Sequence, residues 1–352
     1  SYFKKYLLEE KLSATGKANL QAWLHIKDGG VTSVTSQLSG KDWQISDPSE
    51  TLSVNSIGGL FQWQSTNKGW QFVGNNIDVA TDEVKWDQVN LQLLSNKNAY
   101  DLSANYLNAG DLLRVELFME NLPQDVKSFL LHIKPSGVIN DLSLHAPHDL
   151  TKLSDYRISA MVSGLKMSSY KAYPELNNID AEISGSLSDG EFDVTEKDAV
   201  VAFPAYFEQA FVVRKGSFNG EWHYSDEHLQ FILQDIDLRD DDFDVDAEMA
   251  LDVPVNDPMG TQINIMGGFN FFDSTKVKHY LPLKIFSPAV SEWISNAIVS
   301  GENVHGTTVM RGSARDFPYK KHEGTFYIDS FIEPVTFNYD ATWPAINNLS
   351  AD

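Results

Sequence analysis

The chain has 352 residues, 42% of them hydrophobic and 22% charged, which is ordinary for a protein that buries a sizeable core. Its 49 acidic and 27 basic residues give a formal charge of -22, and no cluster of Lys and Arg appears of the kind that nucleic-acid phosphates require, so nucleic acid is not expected as a partner. Cysteine is absent, which excludes disulfides and cysteine-ligated metal or iron-sulfur sites and leaves the compartment open.

Apolar and polar residues alternate from one end of the chain to the other between clusters of Gly, Asn, Asp and Ser, the period-two pattern of half-buried strands. The first clear series are Leu20, Ala22, Leu24 and Ile26, then Val89, Leu91 and Leu93, then Leu113, Val115, Leu117 and Met119. A short helix is predicted from Pro123 to about Leu131, with Val126, Phe129 and Leu130 on one face. His145, His148 and Asp149 offer metal-ligating atoms, but around Pro147 in a loop they are expected to be surface residues. Alternation returns at Val245, Ala247, Met249, Leu251 and Val253, which places Asp244, Asp246, Glu248 and Asp252 on the other side of that strand. The acidic run 240–246 lacks the glycine-bearing loop of a calcium site and reads as a solvated strand face. Ile263, Ile265, Phe269 and Phe271 continue the pattern. A second helix is predicted over about 288–299, with Ser287 placed to cap it, Pro288 in its first turn, and Ala289, Val290, Trp293, Ile294, Ala297 and Ile298 as its stripe. The fold class is therefore mainly β, antiparallel, with one greasy and one wet face and few helices.

No apolar run of about 18 residues occurs. The opening SYFKKYLLEEKLS lacks the zones of a signal peptide. Starting at Ser and stopping at LSAD in mid-pattern, the chain is expected to be an excised stretch of something longer. Catalytic motifs are missing as well: there is no nucleophile elbow, phosphate loop or HExxH, and in Gly216-Ser217-Phe218-Asn219-Gly220 the serine comes one place too early. No carboxylate pair stands out, so neither an enzyme nor a cofactor is expected.

An internal repeat organises the sequence. Trp63 corresponds to Trp222 at an offset of 222 − 63 = 159, and the same offset aligns Trp70-Gln71-Phe72-Val73 with Leu229-Gln230-Phe231-Ile232 and Ile77-Asp78-Val79 with Ile236-Asp237-Leu238. Leu122-Pro123 matches Leu281-Pro282, and after short insertions Tyr173-Pro174-Glu175-Leu176-Asn177-Asn178 matches Trp343-Pro344-Ala345-Ile346-Asn347-Asn348. The expected organisation is leading strands over 1–37, a first unit over 38–182 and a second over 183–352. Repeated half-buried strands imply a sheet that grows by adding units. Its apolar face either packs against a second sheet or lines a trough, and the pattern alone leaves both open.

Tyr280-Leu281-Pro282-Leu283, Pro288-Ala289-Val290 with Trp293 and Ile294, Gly301, Gly306, Arg311-Gly312, Asp316-Phe317-Pro318-Tyr319 and Trp343-Pro344 together resemble the YhdP branch of the AsmA-like proteins. SGSLSDGEFDV, FPAYFE and GEWHY fit the same family. The resemblance implies an elongated, strongly bent sheet forming a U-shaped apolar groove in a large periplasmic protein of a Gram-negative cell, anchored in the inner membrane outside this stretch. Its implied role is to move phospholipid between inner and outer membranes and so support the permeability barrier. On that reading the groove-lining candidates are Trp63, Phe72, Leu91, Leu93, Val115, Leu117, Ile158, Val162, Ile183, Trp222, Phe231, Met249, Leu251, Ile263, Ile265, Phe269, Phe271, Val309, Phe326 and Ile328. The competing expectation is a β-sandwich adhesin or carbohydrate-binding protein, whose apolar faces would cover each other. An outer-membrane barrel is a third, but many of the series fall short of the nine to eleven residues or so that its strands need.

Overall fold

The computed structural model describes residues 13–46, 51–81, 85–112, 124–149, 152–171, 173–340 and 342–351. The strands are β1 (Ser13–Lys27), β2 (Gly30–Ser46), β3 (Thr51–Thr66), β4 (Gly69–Thr81), β5 (Lys85–Ser95), β6 (Ala99–Asn108), β7 (Ser136–Pro147), β8 (Arg157–Met167), β9 (Glu175–Gly185), β10 (Asp189–Ala202), β11 (Phe211–Ser225), β12 (His228–Arg239), β13 (Phe243–Pro254), β14 (Gln262–Phe271), β15 (Ile298–Gly301), β16 (Val304–Ser313), β17 (Thr325–Phe337) and β18 (Ile346–Ala351). These 18 strands form one antiparallel sheet that does not close on itself. Three short helices accompany them among the described residues: α1 (Ala109–Leu112), α2 (Gln124–Ile133) and α3 (Pro288–Ala297).

The chain divides into two compact units, Ser1–Asp111 with Ile139–Ala160, and Leu112–Val138 with Met161–Asp352. In the first, β1 to β6 pair in sequence order as a meander. The β1–β2 turn is made by Asp28 and Gly29, both at positive φ, the geometry that matches the right-handed twist of a hairpin. In the second, β9 to β14 form another meander. The chain then leaves the sheet through short 3₁₀ turns at Ser274–Tyr280 and Leu283–Ile285 and through α3, and returns as β15 and β16, which pair with successive halves of β17.

The repeat read in the sequence has a counterpart in strand register. Trp63 pairs with Phe72 across β3–β4, and Trp222 with Phe231 across β11–β12. The register slips between Gly58 and Leu60 in one pair and between Ser217 and Asn219 in the other, again 159 residues apart. Asn76 and Asp235 at those bulges both hold positive φ, and just beyond them Ile77 and Ile236 are buried. The second Asn of the aromatic-Pro motif, Asn178 and Asn348, is left-handed in each copy, a conformation Asn tolerates better than other side chains. Bulges bend a strand and tighten its twist, so the repeat carries curvature as well as side chains.

One helix expectation needs adjustment. The second helix ends at Ala297, because the β-branched Ile298 and Val299 enter β15 and Ile298 pairs with Phe337. Ser287 sits at its N-cap but makes no side-chain capping bond, and of the predicted stripe Ala297 is buried while Ala289, Val290 and Trp293 are exposed. The earlier helix, α2, places Phe129 edge-on to Tyr170 and Tyr173.

An uncovered apolar face as the candidate functional site

In an antiparallel ladder, directly opposed residues share a face, so pairing partners can be followed from strand to strand. In the second unit one such row runs Ile183, Phe192, Gly220, Leu233, Met249, Ile265, Met310, Phe326, one residue from each of eight successive strands. At about 4.8 Å per strand it is roughly 34 Å long. Beside it lies a row of Gly185, Gly190, Trp222, Phe231, Leu251, Ile263 and Gly312, and on the other side one of Ile236, Ala247, Gly267, Thr308 and Ile328. The first unit repeats the arrangement: Leu24, Val34, Trp63, Phe72, Leu93 and Leu102 form one row, and Ala22, Ser36, Phe61, Gly74, Leu91 and Ala104 the next.

Glycines let the large rings lie flat on the sheet. A Cβ on Gly190 would collide with the indole of Trp222, and one on Gly220 would collide with the ring of Phe192. These two rings stack on each other with centroids 6.2 Å apart, as Phe61 and Phe72 do in the first unit. The face is thus aromatic-rich, with shallow hollows beside Gly190 and Trp222 and beside Phe231, Leu251 and Ile263.

The decisive property is burial. The largest fully buried side chains among the described residues are Val89 and Ser274. A sandwich assembled from this many strands would hide Phe, Leu and Ile completely between its faces. Here Trp63, Phe72, Leu91, Leu93, Ile183, Trp222, Phe231, Met249, Leu251, Ile263 and Ile265 are only half-buried, and Phe326 and Ile328 remain 46% and 45% exposed. Ile158 and Val162 flank the buried Ala160 on β8 and are half-buried too.

Three groups of candidates depart from the expected lining. Val309 pairs with Met266 and Tyr327, in register with Glu248, and so lies on the opposite face; its neighbour Met310 takes the expected place. Phe271 is on the apolar face but 9% exposed, in a local core with Phe243 and Val304, against which Phe269 and Tyr280 pack. Val115 and Leu117 lie outside the described residues, as do Leu113 and Met119.

One charged group sits on the apolar side. Glu196, two and four residues on from Val194 and Phe192, opposes Gly216 and is 6% exposed. Burial, outweighing the hydrogen bond that its Oε1 accepts from the Asp180 N–H at 2.7 Å, pushes its carboxyl up to about 7, and the Asp180 charge adds to the rise. Burial likewise pushes the Tyr280 phenol up to about 12, helped by Asp242 and Asp240.

The opposite face is wet. Arg239 makes ion pairs with Asp237, Asp244 and Asp246, and Arg214 with Asp198, Asp240 and Asp241, so four aspartates of the acidic run share two arginines. Its first three aspartates lie at the β12–β13 turn instead of in a strand. His145 directs Nδ1 to Asp101 at 2.6 Å, and the His148 ring lies 4.4 Å from that of Tyr100. Among the described residues no three His, Asp or Glu side chains gather as a metal site would require, and no helix is long and apolar enough to cross a membrane.

A family model described as YhdP protein matches residues 1–352. The chain belongs to the YhdP family. It is similar to the intermembrane phospholipid transporter YhdP of Escherichia coli (strain K12), with 24% identity over 362 residues that cover 99% of this chain. The chain spans 28% of the length of that YhdP relative. No solved structure matches.

Proposed function

We propose that this YhdP-family chain is a length of a lipid conduit, in which a bent sheet forms a groove that shields phospholipid acyl chains from water between the inner and outer membranes. The observation that carries the reading is the pair of aromatic and aliphatic rows that cross each unit without a covering layer. Burying a methylene is worth about 0.8 kcal/mol, so a two-chain lipid with roughly 30 methylenes would lose on the order of 20 kcal/mol or more if drawn through water. A continuous apolar lining removes that cost at each step, and its lack of directional contacts suits passage better than capture. The role requires no catalysis and no cofactor. We place the protein in the periplasm, tethered to the inner membrane, with outer-membrane lipid balance and barrier function as its cellular output. We further assign residues 38–182 and 183–352 as successive repeat units of the groove, after leading strands over 1–37.

Gentle purification followed by native mass spectrometry tests the reading. Phospholipid is expected to co-purify and to leave on delipidation without unfolding of the sheet. Protein that stays lipid-free when offered phospholipid vesicles, while binding glycans, would replace the conduit with the carbohydrate-binding alternative.

A further inference from the structure

The apolar face of the second unit is finished differently at its two ends. At the end where Phe243, Phe271 and Val304 are buried, residues 203–210 and 273–286 form a cap. The Tyr280 ring lies 5.0 Å from Phe243, 5.1 Å from Phe271 and 5.7 Å from Phe211, and Val277 packs into the same cluster. The two segments are tied together: the Lys284 N–H donates to the Tyr206 carbonyl at 3.2 Å, and Lys284 Nζ to the Pro204 carbonyl at 2.9 Å. Ser291 Oγ, on α3, donates to the Leu283 carbonyl at 2.7 Å.

The other end of the same strands is covered only in part, by the buried Tyr319, whose ring lies against Gly312 and Gly324. Loop 314–324 brings the Phe317 ring to 5.2 Å from Phe326, yet Phe326 stays 46% exposed, and Leu251 and Ile263 are half-buried. That loop also carries Arg315, which Asp257 already holds at 2.5 and 2.7 Å, the acidic Asp316 and Glu323, and the exposed Lys320, Lys321 and His322. From Ile263 to Phe271 the path along β14 is about 27 Å at 3.4 Å per residue.

We propose that phospholipid on the second unit lies along the strands, with its acyl-chain ends against the Tyr280 cap and its phosphate headgroup at the open end beside loop 314–324. The inference rests on the lipid-shielding function proposed above. A charged headgroup that left water without a partner would carry a large desolvation cost; the capped end offers buried rings, and its Lys276, Lys278 and Lys284 are already engaged by Asp242, the Ser295 carbonyl and the Pro204 carbonyl, where the open end offers solvent and the exposed Lys320 and Lys321 to bond phosphate. The cap thus sets the polarity of the lipid across the groove, and each molecule would travel sideways from strand to strand without turning over.

Full-length protein loaded with one of two photoreactive phospholipids tests this, one carrying a diazirine in the headgroup and the other at the acyl terminus, with adducts mapped by peptide mass spectrometry. The headgroup probe is expected to label residues 314–324 several-fold more than residues 269–286, and the acyl-terminal probe to show the reverse preference. Tyr280→Ala is expected to carry acyl-terminal labelling further, to Phe243 and Val304; if that variant fails to fold, the two wild-type maps still decide. Equal labelling of both ends by both probes, or the opposite preference, would overturn the orientation while leaving the conduit intact. Folded protein labelled by neither probe would overturn the lipid-shielding function and the orientation with it.

Discussion

Glu196→Gln should make the protein more stable at neutral pH, and the size of the gain follows from the residue's surroundings. The Glu196 carboxyl shares the apolar side of β10 with Phe192 and Val194, and among the described residues it accepts one hydrogen bond, from the Asp180 N–H. Glutamine keeps a carbonyl oxygen for that donor and removes the charge. Because burial lifts the carboxyl from 4.5 to about 7, the folded state holds a proton that the unfolded state releases between those values, so stability falls as pH rises from about 4.5 through 7. At 1.36 kcal/mol per pH unit the full penalty above pH 7 is on the order of 3 kcal/mol. Urea unfolding of wild type and variant at pH 4.5, 6 and 8 reads it out. The two should agree within about 0.5 kcal/mol at the lowest pH and diverge in the variant's favour by about 2 to 3 kcal/mol at the highest. A difference that does not change with pH, or a variant less stable throughout, would mean that the carboxylate is ionised and held by its bond to Asp180, and the burial reasoning would fail.

Val309 and Met310 are adjacent but face opposite sides, so Val309→Asp should leave lipid binding near wild type. Met310→Asp, which sets a carboxylate among Ile265 and Phe326, should lower bound phospholipid several-fold in a native mass spectrum. Gly190→Ala should destabilise the second unit by about 1 to 3 kcal/mol in thermal unfolding, since the new methyl meets the Trp222 indole and the Ser184 carbonyl, and Trp222 fluorescence should shift with it. Arg239→Ala should cost on the order of 1 kcal/mol at moderate salt and less at high salt, because its partner Asp246 is largely solvated while the Asp237 Oδ1 it also meets is shielded from water.

The sheet was legible in the sequence because a one-faced strand writes its period directly: Met249, Leu251, Ile263 and Ile265 share a face as their alternation requires. The residues that the repeat aligns, Trp63 with Phe72 and Trp222 with Phe231, turn out to be cross-strand partners. Val309 was misplaced because Thr307-Thr308-Val309-Met310 carries no alternation, and only pairing with β14 fixes its phase. The fate of Phe271 was hidden because the same alternation serves an open lining and a covered one; what separates Phe271 from Ile265 is Tyr280, brought over it from outside the strand. Glu196 carries its own signal in the sequence. In Phe192-Asp193-Val194-Thr195-Glu196 an acidic residue falls in the apolar phase, where a charge has to be hydrogen-bonded or neutralised.

The central claim, that one face of this sheet carries acyl chains, is tested most directly by photo-crosslinking from neighbouring positions on two adjacent strands. A photoreactive amino acid placed in turn at Glu248, Met249, Ala250 and Leu251, and at Asn264, Ile265 and Met266, in full-length protein under working conditions, samples both faces through a step of one residue. Lipid adducts should appear at Met249, Leu251 and Ile265 and be weak or absent at Glu248, Ala250, Asn264 and Met266, a period-two pattern in register across the two strands. Adducts of similar strength at every position, or strongest at Glu248 and Met266, would contradict the account.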